Sequence, residues 1–259
     1  MKVRGRAYAI GLLCLSSLLA QKPEYDFFPE FRNTITPKLR AANPSSSNDQ
    51  IIDRYADMLR SQGVAADEVA RRVRLLRTER NSLESDYWNR FYLSEKSNFN
   101  REPNAFLVEV AKTLKPGVAL DYGMGEGRNS IWLAKQGWDV WGFDPADAAV
   151  AIARKRAAAL NLTLHAEAVR DHDYAFGEQR FDLIVFSWTM PLVPVERVAA
   201  SLKPGGRVVM ECGADFVGPN GMLKLFDPLR IERYEIVRAR SDFYNRRETE
   251  VLRMIAVKP

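Results

Sequence analysis

Gly123, Gly125 and Gly127 stand at alternate positions just after Asp121, in the stretch Asp-Tyr-Gly-Met-Gly-Glu-Gly-Arg. Glycine lets a backbone approach a ligand closely, and a helix starting at about Arg128 presents free N–H groups and a positive dipole end to whatever the turn holds. A dinucleotide fingerprint beginning at Gly123 requires glycine at position 128, where Arg128 stands, and no Gly-Lys-Ser or Gly-Lys-Thr follows to cradle phosphates. Asp121 beside the turn repels a pyrophosphate and attracts a cation. Among adenosine compounds, S-adenosylmethionine carries a sulfonium and an ammonium and no phosphate. Asp144 lies seventeen residues beyond Gly127, at the end of the next apolar run, where a carboxylate accepts hydrogen bonds from ribose hydroxyls. Pro145 follows it, so a helix N-cap is the competing role for Asp144.

Such a constellation needs elements that bring the turn and both carboxylates to one edge. From Pro103 onward helical and strand-like runs alternate. Helices are predicted over 105–114, 128–136, 146–160 and 194–202, and strands over 118–122, 140–143, 162–169, 181–188 and 207–211. This alternation specifies an α/β, Rossmann-like and mostly parallel sheet with helices on both faces. The tail differs. Runs 231–240 and 249–257, joined by a turn around Asn245, are too closely connected for a parallel crossover and must form an antiparallel pair.

The remainder divides into a leader (1–20), a linker or extended arm (21–47) and a helical arm or lid (48–102) ahead of the domain at 103–259. Lys2, Arg4 and Arg6 precede an apolar run from Ala7 to Ala20, the layout of a secretory signal peptide and too short to span a bilayer. Export and a cytoplasmic supply of cofactor point to different compartments. The mature chain is expected to hold no transmembrane span. In 48–102 one helix is predicted from Asn48 to Gly63, and a second runs from about Asp67 towards Phe91 with five arginines in its middle. Asp67, Glu68, Glu79 and Glu84 are close enough to pair with them, so a solvated, ion-paired face is expected. The chain has 38 basic and 33 acidic residues, a net +5; Lys2, Arg4 and Arg6 supply three of these charges, which leaves +2 from Gln21 onward. No nucleic-acid partner is expected from that balance.

The motifs together resemble the class I S-adenosylmethionine-dependent methyltransferases over about 87–259: DYGMGEGRN at the glycine turn, GFDPA at the ribose acid, FDLIVFSW in the fourth strand and LKPGGRVVM at the turn into the fifth. Within that family the small-molecule branch of tellurite-resistance and thiopurine methyltransferases is the most similar. The resemblance implies a seven-stranded sheet whose last strand runs antiparallel, S-adenosylmethionine as cofactor, and a small-molecule methyl acceptor attacked by in-line displacement. It implies that Asp121 and the backbone of 123–127 hold the methionine end and that Asp144 holds the ribose. Asp171 is the choice for the adenine amino group, with a plain turn residue as its other reading. The full cofactor-binding set is Asp121, Tyr122, Gly123, Met124, Gly125, Gly127, Arg128, Asp144, Pro145, Asp171 and Ser187. Trp88, Tyr92, Trp188 and Met190 are candidates for the acceptor. Tyr87, Trp88, Tyr92 and Phe99 form either a lid or a packing face. No metal and no catalytic base is assigned, since alignment of donor and acceptor supplies most of the acceleration. His165 is expected to be a packed core residue, and His172 lies away from the methyl group. A cofactor-binding sensor without turnover and a nucleotide-dependent oxidoreductase are the alternatives; Arg128 and Asp121 disfavour the latter.

Overall fold

The computed structural model describes residues 25–42, 48–94, 100–214, 220–243 and 248–259. The leader, Phe99 and the turn at Asn245 lie outside the described residues. Two compact units divide after Leu83, earlier than the break expected at position 103.

In the first unit, α1 (Phe28–Glu30), a π-helical turn (Phe31–Ile35) and α2 (Thr36–Ala42) precede α3 (Asn48–Ser61) and α4 (Ala66–Thr78). The expectation of a linker or extended arm over 21–47 is therefore corrected for 25–42, which are helical or in tight turns. Tyr25, Phe27, Phe28 and Phe31 are all buried, and Phe31 packs on Tyr55 with ring centroids 4.9 Å apart. Burying four aromatic side chains outweighs the breaker signal of Pro29, which sits in the first turn of α1 where its missing N–H has no partner to lose. The single helix expected from Asp67 towards Phe91 is two helices, α4 and α5 (Arg80–Leu93). They part at Glu79, which leaves helical geometry (φ −122°, ψ 15°) and accepts a hydrogen bond from the Tyr25 hydroxyl at 2.5 Å. Three arginines of α4 are ion-paired: Glu68 takes Arg71 and Arg72 at 2.6 Å each, and Arg77 meets Asp53.

The second unit is built on seven strands, β1 (Val118–Tyr122), β2 (Asp139–Asp144), β3 (His165–Ala168), β4 (Phe181–Ser187), β5 (Leu202–Gly213), β6 (Arg230–Arg240) and β7 (Glu248–Val257). Their order is β3-β2-β1-β4-β5-β7-β6. All pairs from β3 to β5 are parallel, and β7 runs antiparallel to both β5 and β6. The helices are α6 (Ala105–Ala111), α7 (Arg128–Lys135), α8 (Asp147–Ala159), α9 (Val195–Ser201) and α10 (Gly221–Leu225).

Side chains alternate across the sheet as the pleat requires. Ala119, Val140, Leu183, Val185 and Val209 pack with α6 and α7, while Leu120, Phe143, Ile184, Phe186, Val208 and Met210 share a core with residues of α9 and α10. The first connection returns through α7 to place β2 on one side of β1, and β4 lies on the other. The order thus reverses at β1, and the crevice beyond the carboxyl ends of β1 and β4 is where open sheets of this build bind ligands. His165 is not a packed core residue: its side chain, 38% exposed at the start of β3, stacks on Trp141 at 4.1 Å because both stand beside each other on paired positions of neighbouring strands. No helix among the described residues is long and apolar enough to cross a membrane.

Candidate functional site

β1 ends at Tyr122, and the chain turns through Gly123, Gly125 and Gly127, all with positive φ, into the N-terminus of α7. Gly125 (φ 52°) is the tightest position. Its N–H donates to Asp144 Oδ2 at 3.0 Å, and a Cβ there would collide with the Tyr92 hydroxyl that lies over the turn. The Met124 side chain packs with Val150 and Ala153 of α8 and Ala166 of β3. The approach is so close that Gly142 has no room for a Cβ, which would meet the Met124 sulfur at 2.6 Å.

Asp121 and Asp144 share one face of the sheet, because Asp121 pairs with Gly142 and Asp144 lies two residues further along β2. Both are buried. Asp121 Oδ2 accepts from the Ser130 N–H at 3.0 Å and the Ser130 hydroxyl at 2.6 Å, one turn into α7. Asp144 Oδ1 accepts from the Ala146 N–H at 2.9 Å, and Oδ2 from Gly125. The helix that follows is capped by Ala146 and begins at Asp147, so Asp144 is a turn-forming residue here rather than the N-cap that Pro145 suggested. Burial pushes each carboxyl up to about 6: the hydrogen bonds from Ser130 and the Arg128 charge only partly offset it at Asp121, and the Asp121 charge adds to it at Asp144. Two anions held in a dry site attract a cation strongly.

An open, solvent-accessible cavity lies against this turn. Gly123, Met124, Gly125, Arg128 and Ser187 of the expected set line it, and Tyr92 of the acceptor candidates does too. Tyr92 comes from α5, on which Tyr87, Trp88, Phe91 and Tyr92 form a continuous aromatic cluster. Packing around the Tyr92 hydroxyl and the nearby Asp144 and Glu126 carboxylates push its pKa well up. The helix is held by Asn89, which donates to Asp147 at 2.5 Å and accepts from the Ala148 N–H at 3.0 Å.

Other expected residues fall elsewhere. Tyr122 alternates to the opposite face of β1 and packs on Phe143 and Phe186. Its hydroxyl donates to Asp171, which is itself buried and also accepts from the Leu192 N–H at 2.9 Å and the His172 N–H at 2.9 Å. This pair ties the segments after β3 and β4 together and does not line the cavity. Met190 packs against the core beneath that segment. Trp188 adopts a left-handed backbone (φ 59°), and its ring lies parallel to Phe243 at 6.4 Å.

Asp242, Phe243, Asn104, Asn129 and Glu211 were missed. Asn129 and Phe243 line the cavity, and Asn104 caps α6 by accepting from the Leu107 N–H at 2.8 Å. A signal did exist for the loop at 242–243: β6 leads away from an antiparallel β7, so it runs with the parallel strands and its carboxyl end emerges at their ligand-binding edge. Nothing in the sequence pairs Asp242 with Arg128.

A mostly parallel sheet of seven strands with β7 reversed, a glycine turn after β1 and acids ending β1 and β2 define a class I methyltransferase fold. Residues 119–209 match the family described as "Methyltransferase domain", and the second unit has the class I methyltransferase fold and is similar to TehB. The chain is 29% identical over 118 residues to the "Probable S-adenosyl-L-methionine-dependent methyltransferase TehB" of Haemophilus influenzae, an alignment covering 44% of this chain and 41% of that protein. It is 28% identical over 131 residues to the "Ubiquinone biosynthesis O-methyltransferase" of Coxiella burnetii, covering 49% of this chain and 56% of that one. The crystal structure of TehB from Haemophilus influenzae superposes with a TM-score of 0.51 at 20% identity, over 68% of this chain and 67% of that one, which shows a shared fold. The chain thus aligns with about half, or less, of the length of these curated relatives.

Proposed function

We propose that this chain is an S-adenosylmethionine-dependent methyltransferase acting on a small molecule. The observation that carries the reading is the coupling of Asp144 to the glycine turn. One carboxylate oxygen fixes the Gly125 N–H while the acid shares a dry sheet face with Asp121, a combination suited to a cationic nucleoside. The residues fit that group: the Tyr92 hydroxyl lies directly over Gly125, the N-terminus of α7 faces the cavity at Arg128, and the sequence has neither the lysine nor the third-glycine pattern for a pyrophosphate.

In this reading the backbone of 123–127 and Asp121 hold the methionine end, Asp144 the ribose, and Ser187 at the end of β4 borders the reacting centre. Tyr92 covers the turn and excludes water. When bound, the cofactor supplies a methyl group on a sulfonium, a leaving group that needs no protonation. What the protein adds is alignment in a closed site. The acceptor is proposed to approach past Trp188 and Phe243, two parallel rings at the carboxyl edge of the sheet. TehB and the ubiquinone enzyme, named as methyltransferases, support the class of reaction. The test is calorimetric titration with S-adenosylmethionine and, separately, with NAD. Saturable binding of the first and none of the second is expected; failure to bind S-adenosylmethionine would overturn the proposal.

A further inference from the structure

The glycine turn is followed by a cation, and that poses an electrostatic problem. Arg128 lines the same cavity as Gly123 and Gly125, and an unneutralised guanidinium there opposes a sulfonium and an ammonium. The β6–β7 loop, which the family match at 119–209 does not include, answers it. Asp242 Oδ1 accepts from Arg128 Nη2 at 3.1 Å and from the Trp188 indole N–H at 2.7 Å, while Oδ2 accepts from the Asn104 side-chain amide at 2.7 Å. The Asp242 carbonyl takes a further bond from Arg128 Nη1 at 3.0 Å. The pair is well shielded, with 11% of the Arg128 and 18% of the Asp242 side chain exposed, so solvent screens it little. With its oxygens engaged by three donors, Asp242 works by charge and position rather than as a base.

The rest of the network makes the arrangement rigid. Arg128 Nη2 also donates to the Ser187 hydroxyl at 3.0 Å, so the two cavity-lining residues are fixed to each other through the same group. Asn104 uses its side-chain amide twice, for Asp242 and for the buried Glu211 at 2.6 Å, and Arg253 closes the far side of Glu211 at 2.8 Å. Trp188, held in a left-handed conformation that a bulky residue rarely adopts, is pinned at both ends, its backbone N–H on the Glu211 carbonyl at 2.8 Å and its indole on Asp242.

We infer that Asp242 is a positioning residue of the cofactor site: it neutralises Arg128, fixes Trp188 directly and, through Arg128, holds Ser187, so that the turn discriminates in favour of a positively charged ligand. The inference rests on the methyltransferase reading, and the experiment separates the two. S-adenosylmethionine and S-adenosylhomocysteine differ by one methyl group and by the charge on sulfur. Calorimetry of the full chain with both compounds therefore reads charge apart from shape. Asp242→Asn, which keeps the size of the side chain and removes its charge, is expected to lower affinity for S-adenosylmethionine roughly fivefold more than for S-adenosylhomocysteine. Arg128→Gln alone leaves the carboxylate unneutralised and should move the ratio the opposite way, which provides a reading even if Asp242→Asn folds poorly. The double variant Arg128→Gln/Asp242→Asn should bring the ratio back to near the wild-type value. Equal losses for both compounds in every variant would show a merely structural role and overturn the inference. A wild-type protein that binds neither compound overturns the methyltransferase reading itself, and the inference falls with it.

Discussion

Two carboxylate sites, one in each unit, are built in opposite ways. On α4, Glu68 is half-exposed and clasped by Arg71 and Arg72, whose hydrogen bonds hold its pKa down to about 2. At the glycine turn, Asp121 and Asp144 are buried on one sheet face with backbone and hydroxyl donors, and burial pushes both up to about 6. The first arrangement satisfies a charge in the folded chain. The second buries two carboxyls without a cationic side chain among the described residues bonded to either, a pattern found where acids bind or react as well as where they stabilise.

Four expected outcomes sharpen or break this contrast. The largest concerns Asp144: Asp144→Ala should weaken S-adenosylmethionine binding by about 2 kcal/mol, roughly 30-fold, through lost hydrogen bonds. Unchanged affinity in calorimetry would remove the ribose role. The next is pH. Protonation of either acid removes attraction for a cation, so affinity should decline as pH falls through about 6, approaching tenfold per unit for one group. Stability without ligand should move the other way at the site. The folded state holds more protons than the unfolded one between the usual aspartate range and about 6, so lowering pH across that window stabilises it. Glu68 has the opposite sign. Its contribution is complete above the ordinary glutamate pKa of 4.5 and is lost as pH falls towards 2. Urea denaturation across pH 3 to 7, on wild type and on Asp144→Asn, separates the two regimes; a site response that persists unchanged in the variant would refute its assignment to Asp144. Gly125→Ala follows, with an expected loss of about 1 kcal/mol from a left-handed backbone and the displaced Tyr92, together with weaker cofactor binding. Wild-type thermal stability in that variant would mean the turn is looser than its geometry shows. The smallest effect is expected for Glu68→Gln, under about 1 kcal/mol in thermal unfolding and with no change in cofactor affinity.

Local patterns carried much of the fold because they are set by neighbours in the chain. The strand 118–122 and the helix beginning at Arg128 appear where periodicity put them, and the close spacing of the last two strands was enough to require an antiparallel pair. The aromatic arm was misread because Tyr25, Phe27, Phe28 and Phe31 find their partners on other helices, and a count of Pro, Ser and Asn in a window takes no account of burial that distant residues provide. The expected single helix parts at Glu79, whose backbone leaves helical geometry although its neighbours in the chain carry no breaker.

The site divides along the same line. By itself the sequence determined the glycine turn and the acids at 121 and 144 and pointed to a cationic adenosine ligand, since these follow from residue types at short spacing. Tertiary structure decided which side chains surround that turn. The pleat sent Tyr122 to the far face and left Asp171 holding Leu192, although both sit next to motif residues in the chain. The sheet order carried Asp242 to Arg128 across 114 positions and folded Tyr92 over Gly125. A charge pair made by strand order leaves no trace in local spacing, because its energy depends on a distance in space that only the assembled sheet defines.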